Sequence, residues 1–224
     1  KGLYLQGHAP YVSGRMLSAY LCGGPNTCHE TRDRKEALEK LRSGMFVDAR
    51  DSSITKNVQE VYEGVKGVRF FDHLCLCTDD READDILHVG HMNDVVRSAI
   101  RCGMDPVTAI KSATLNTARE IHLENLGAIA PGYVADLLLV DDLTELKPSH
   151  VFFGGKLVAR DGKLTVEIPH REYPLEKVNT MCVKELSRED FVIHTPVENG
   201  TATVHVMEYP DLNLSSTLLT TAQL

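Results

Sequence analysis

His73-Leu74-Cys75-Leu76-Cys77-Thr78-Asp79-Asp80 is the stretch on which the fold is decided. Its apolar run is too short for a helix, reads as a buried parallel strand, and stops abruptly on two carboxylates. Open α/β sheets and β/α barrels place their chemistry where strands end, because side chains there leave the core and meet solvent. A surface turn ahead of the next helix would also account for Asp79 and Asp80. The decision therefore rests on the segments around them.

Upstream, Leu3-Tyr4-Leu5 runs into Gly7-His8-Ala9-Pro10 and reads as a strand ending in a histidine. Ser13 is placed to cap a helix carrying Met16, Leu17, Tyr20 and Leu21, which Gly23-Gly24 stops. Asn26 to Glu30 is a second short strand with His29 at its end. Asp33 then opens a helix whose capping box Glu36 would close, with Leu38 and Leu41 turned inward. Met45 to Arg50 is the third strand, running into Arg50, Asp51, Ser52 and Ser53, and residues 56–63 form a helix. Downstream of the opening stretch, residues 81–90 read as an acidic loop and 91–102 as a helix. Asp105-Pro106 starts another helix, and a short one follows over 116–121.

Strand and helix alternate four times, which argues for a parallel sheet, open or closed. From Leu126 the pattern becomes all-β, with a strand over 135–140 and a hairpin over 151–158. After Pro169 it turns irregular, with β-like runs at 191–193 and 202–206. The expected division is 1–125, 126–172 and 173–224.

The 224 residues are 42% hydrophobic, enough for a proper core, and carry a formal charge of −8 with a pI near 5.7. That charge disfavours nucleic-acid and anionic-membrane surfaces, since nothing resembles a patch able to displace counterions from phosphate. No apolar stretch approaches the roughly 18 residues a membrane span needs, and the cytoplasm is the expected compartment. Cys22, Cys28, Cys75, Cys77, Cys102 and Cys182 are unevenly spaced, as reduced thiols are. Cys75 and Cys77 point to one face of their strand. A soft metal site with Cys22 and Cys28 is one reading of them, and small buried core residues fit the spacing better.

Three strand ends thus carry groups able to bind a divalent metal: His8, His29 and Asp79, 21 and 50 residues apart, or one and about two further β/α units. On neighbouring parallel strands they would converge on one mouth. Imidazole and carboxylate suit zinc, iron or manganese, and Asp79 is positioned to take a proton from an activated water. His88 and His91 read as caps or as outer support for the site. His73 lies at the opposite strand end, and His122, His150, His170, His194 and His205 fall off the site face.

Gly7-His8-Ala9-Pro10, Cys28-His29-Glu30, Cys77-Thr78-Asp79-Asp80, Gly90-His91, Ala113-Thr114-x-Asn116-x-Ala118 and Gly127-Ala128-Ile129-Ala130-Pro131-Gly132-x-x-Ala135-Asp136-Leu137 together resemble the amidohydrolase superfamily, and within it the bacterial-type adenine deaminases. The resemblance implies an α/β fold: the C-terminal half of a metal-dependent-hydrolase (β/α)8 barrel, part of a small β-sandwich, and the start of a further α+β domain. It implies hydrolytic deamination of adenine to hypoxanthine and ammonia at a binuclear manganese or iron centre, with zinc also compatible. His8, His29 and Asp79 match the family's metal ligands, Asp79 doubling as proton shuttle, and Glu30 is a second candidate for proton transfer. Arg50, Ser52 and Ser53 are candidates for holding the base, with Asp80 and His91 supporting the site from outside. The implied partner is a small nucleobase, with no nucleic acid or membrane, and a homo-oligomer of the full-length enzyme is expected. Cyclic-amide hydrolysis of the dihydroorotase or hydantoinase kind would use the same three ligands. The family's first-strand His-x-His and its bridging Glu or Lys are missing. The expectation is a segment of a longer enzyme that cannot assemble two metals alone, or a non-catalytic fragment working only by assembly.

Overall fold

In the computed structural model of the chain, residues 4–194, 200–201, 203–208 and 218–223 are described. They fall into two compact units that divide between residues 165 and 166.

The first unit opens with α1 (Gly14–Cys22), β1 (Thr27–Cys28), α2 (Arg34–Arg42), β2 (Phe46–Arg50), α3 (Val58–Val65) and β3 (Leu74–Cys77). The strands form a three-stranded parallel sheet in the order β1-β2-β3, with Val47 opposite Leu74 and Arg50 opposite Cys77. Side chains alternate across it. Val47, Ala49, Leu74 and Leu76 join Val58, Val61 and Val65 of α3 in one buried apolar cluster, leaving Asp48, Arg50, Cys75 and Cys77 on the opposite face. That cluster also takes Val95, Val96 and Ala99 of α5 (Met92–Arg101), so burial of one sheet face drives this packing.

The expected first strand does not form over Tyr4–Ala9; its Leu3 lies outside the described residues. There Gly7 donates its amide to the Thr27 hydroxyl, a side-chain partner in place of a strand ladder. The acidic loop expected over 81–90 contains α4 (Ala83–His88), whose first turn holds Asp84 and Asp85, where carboxylates favour the positive end of the helix dipole. α6 (Pro106–Ala113) starts as expected, the Asp105 side chain accepting the Thr108 amide. α7 (Leu115–Glu120) lies under the amino end of β3, because Asn116 donates to the carbonyls of Phe71 and Leu74 at 2.6 and 2.9 Å.

The all-β portion is a four-stranded antiparallel sheet of β4 (Leu137–Val140), β5 (Pro148–Phe153), β6 (Lys156–Arg160) and β7 (Lys163–Leu164). Gly154 and Gly155 turn its central hairpin at φ of 55° and 78°, a conformation that favours glycine at both positions. In the second unit, α8 (Leu175–Val178) precedes a 3-10 turn over Arg188–Phe191, held by reciprocal capping between Ser187 and Asp190. That turn occupies part of the β-like run expected at 191–193. β8 (Thr203–Glu208) pairs antiparallel with β9 (Leu218–Gln223).

Candidate metal centre

His29 follows β1 directly, Asp79 lies two residues past β3, and His8 sits in the irregular segment bonded to Thr27. The His8 and His29 rings are 5.3 Å apart between centroids, and His29 Nε2 is 3.7 Å from an Asp79 carboxylate oxygen. Three separate segments thus bring two imidazoles and a carboxylate to one mouth. Asp79 adopts φ 52°, a left-handed conformation uncommon for a residue with a side chain, and this bends the chain off the end of β3.

Glu30 belongs to the same cluster: His29, Glu30 and Asp79 each offer a ligand atom within 4.8 Å of the others. Arg50, at the end of β2 and 3% exposed in its side chain, pairs with both Glu30 and Asp79. Arg32 pairs with Glu30 from the other side at 3.1 Å. Burial, then the Arg50 charge, lowers the His29 pKa below the ordinary imidazole value, so the ring keeps a lone pair to offer a cation. Two imidazoles and a carboxylate, with 39% and 23% of the His29 and Asp79 side chains exposed, fit a divalent metal in chemistry and access.

Among the other residues singled out in the sequence, Asp80 lies beside the cluster, its charge favouring protonated His29. Ser52 is fully buried; its hydroxyl donates to the Thr55 carbonyl and accepts the amides of Ile54 and Thr55, closing the turn after β2. The Ser53 hydroxyl donates to Asp85 and accepts the Glu82 amide, tying that turn to α4. His91 caps α5 by position, its amide donating to Asn93. The alternative cysteine grouping does not form: Cys22 is exposed on α1, Cys28 lies with Ala9, Leu17 and Met45, and Cys75 is on the opposite sheet face.

Two features carry no local sequence signal. Asn57 braces the mouth: its Nδ2 donates to the His29 and Thr31 carbonyls, both at 3.2 Å, and its Oδ1 accepts the Arg50 amide at 2.7 Å. Deeper on the same face, Asp48, Cys75 and Glu120 form a second cluster, all buried, with their ligand atoms within 4.8 Å. Tyr4 donates to Glu120 at 2.9 Å. Burial first, and the Glu120 charge second, push the Asp48 carboxyl well above its ordinary pKa. The Cys75 thiol is raised by the same burial, then by Asp48.

The chain is 40% identical over 195 residues to an adenine deaminase of Kosmotoga olearia, covering 87% of this chain and 34% of that protein. It is 38% identical over 222 residues to adenine deaminase 1 of Carboxydothermus hydrogenoformans, 96% of this chain and 36% of that one. The chain thus spans about a third of the length of the curated relatives it matches. A likeness of fold extends to the β-aspartyl dipeptidase of Fervidobacterium islandicum AW-1, with a TM-score of 0.53, 22% identity, and coverage of 69% of this chain and 44% of that one. Residues 15–158 match the amidohydrolase family throughout, and the chain belongs to it.

Proposed function

We propose that this chain supplies part of the active site of an enzyme that hydrolyses adenine to hypoxanthine and ammonia, its parallel sheet forming part of a (β/α)8 barrel. The observation that carries the reading is the convergence of His8, His29 and Asp79 at the carboxyl ends of the sheet, in a chain about 40% identical to adenine deaminases. His8, His29 and Asp79 would hold a divalent cation, manganese or iron by family resemblance. When bound, such an ion supplies Lewis acidity and makes hydroxide available near neutral pH.

The chain's own residues do the rest. Attack at the adenine ring carbon that bears the amino group consumes one water and expels ammonia, so one proton leaves the water and one reaches the departing nitrogen. The Asp79 carboxylate is placed to take the first and deliver the second, being at the mouth and partly solvated. Arg50 holds Asp79 and Glu30 in fixed orientation and balances their charge, which makes it a positioning residue. Glu30, buried between Arg32 and Arg50, is the second proton-transfer candidate. Ser52 and Ser53 shape the rim on which the base would rest, through the turn they close.

The deciding experiment is ammonia release from adenine by the full-length protein, run beside ring opening of a hydantoin. Ammonia in stoichiometric yield with hypoxanthine is expected. Hydantoin opening without ammonia from adenine would overturn the reading in favour of a cyclic-amide hydrolase.

A further inference from the structure

We propose that the buried Glu36–Lys40 pair of α2 is the device that positions the two histidine-bearing segments of the mouth. The inference rests on the reading of that mouth as a metal centre. Lys40 is 0% exposed, and its ammonium donates to the Ala9 carbonyl at 2.6 Å, Cys28 Sγ at 3.3 Å, the Thr31 hydroxyl at 3.4 Å, and the Glu36 carboxylate one helical turn earlier. Glu36 in turn accepts the amides of Tyr11 at 2.9 Å and Arg32 at 2.8 Å. Each of these side-chain hydrogen bonds that leaves α2 therefore falls on one of two segments. Residues 9–11 follow His8 directly, and residues 28–32 enclose His29.

Stability alone is a poor reason for this arrangement. A fully buried ion pair gives little net stabilisation, and apolar residues of similar volume usually serve as well or better. What the pair provides is geometry. Tyr11 sits at φ 59°, a left-handed turn for a residue with a side chain, and its amide is the one Glu36 holds. The Arg32 guanidinium lies 5.6 Å above the Tyr11 ring, so the two segments also meet each other above the pair. Cys28 Sγ, while accepting from Lys40, accepts the Glu30 amide as well at 3.4 Å, which carries the constraint through His29 to the next residue. One ion pair on one helix thus sets the spacing of two ligands that come from different parts of the chain. Outer partners of this kind orient metal ligands, and their loss typically weakens metal affinity by about 10–100-fold.

The test is Co2+ binding by the full-length protein, read as affinity and as the visible ligand-field spectrum, together with the NMR signals of the His8 and His29 rings. K40M and the doubly neutral E36Q/K40M are compared with the parent, with V61A as a control that loosens the apolar core far from the mouth. The expected result is a fall in Co2+ affinity of about 10–100-fold, an altered spectrum and displaced ring signals in both pair variants, while V61A lowers only thermal stability. Parent-like affinity, spectrum and ring signals in folded E36Q/K40M would overturn the proposal. Failure of both pair variants to fold would also overturn it, by assigning the pair to folding. H8A and D79N separate the underlying reading: if neither changes Co2+ affinity, the mouth is not the metal centre, and the ring signals alone then decide whether the pair positions the histidines.

Discussion

Two clusters of acids occupy one face of the same three-stranded sheet, and they solve opposite problems. At the strand ends, buried Glu30 and the partly solvated Asp79 share Arg50 beside His29. Lower down, Asp48 of β2 and Glu120 at the end of α7 are buried at 8% and 3% exposure, and among the described residues neither has a cationic partner. Charge is tolerated in the first cluster because Arg50 and Arg32 balance it. In the second it is disfavoured: burial first, and the Glu120 charge second, push the Asp48 carboxyl well above its ordinary pKa, while Glu120 accepts from Tyr4. Ligand-type residues gathered at one sheet are thus sorted by countercharge into a candidate metal mouth above and a buried acid pair without ion-pair partners among the described residues below.

The largest effect expected from breaking the comparison lies at the mouth. D79N in the full-length protein removes the carboxylate proposed to carry the proton while keeping its shape, and ammonia release from adenine should fall by about 10²–10⁴-fold with little change in thermal stability. In the lower cluster the effect should move from activity to stability. E120L leaves the Tyr4 hydroxyl and Asp48 without their buried partner, and urea unfolding should register a loss of about 1–3 kcal/mol.

These contrasts were unequally legible in the sequence. The parallel strands over Phe46–Arg50 and Leu74–Cys77 were readable because a short apolar run ending in polar residues is a local pattern. His29 and Asp79 were readable as strand-end groups because each follows such a run, whereas His8 follows a run that forms no strand. Lys40 was not, because Glu36, Glu39 and Lys40 carry charges that a helix ordinarily turns to solvent, and only the fold brings Ala9 and Cys28 to the Lys40 ammonium. For the same reason Glu36 was expected to close a capping box. The structure keeps half of it, the Asp33 side chain accepting the Glu36 amide, while the Glu36 carboxylate turns to Tyr11 and Arg32. Glu120 stands 72 residues from Asp48, and no spacing rule links a short helix end to mid-strand over that distance.

A pH series sharpens the difference further. Because the folded pKa of Asp48 is raised above its ordinary 3.8, the native state holds a proton there that the unfolded chain releases. Stability is therefore complete below the ordinary carboxylate value and falls as pH rises toward the folded pKa, at up to about 1.4 kcal/mol per pH unit for one proton. D48N should flatten that part of the profile in denaturant unfolding measured across pH 4 to 8, whereas D79N should leave it in place. The smallest effect belongs to the rim. S52A removes a turn hydroxyl and should cost about 1 kcal/mol in unfolding free energy. It should leave the KM for adenine little changed, since the hydroxyl itself is turned into the Thr55 turn.

The most direct measurement is the anomalous scattering of Mn2+ in crystals of the full-length protein. The account predicts a peak within coordination distance of His8, His29 and Asp79, with Asp48, Cys75 and Glu120 free of metal. A peak at the buried trio, or none at the strand ends at saturating Mn2+, would contradict it.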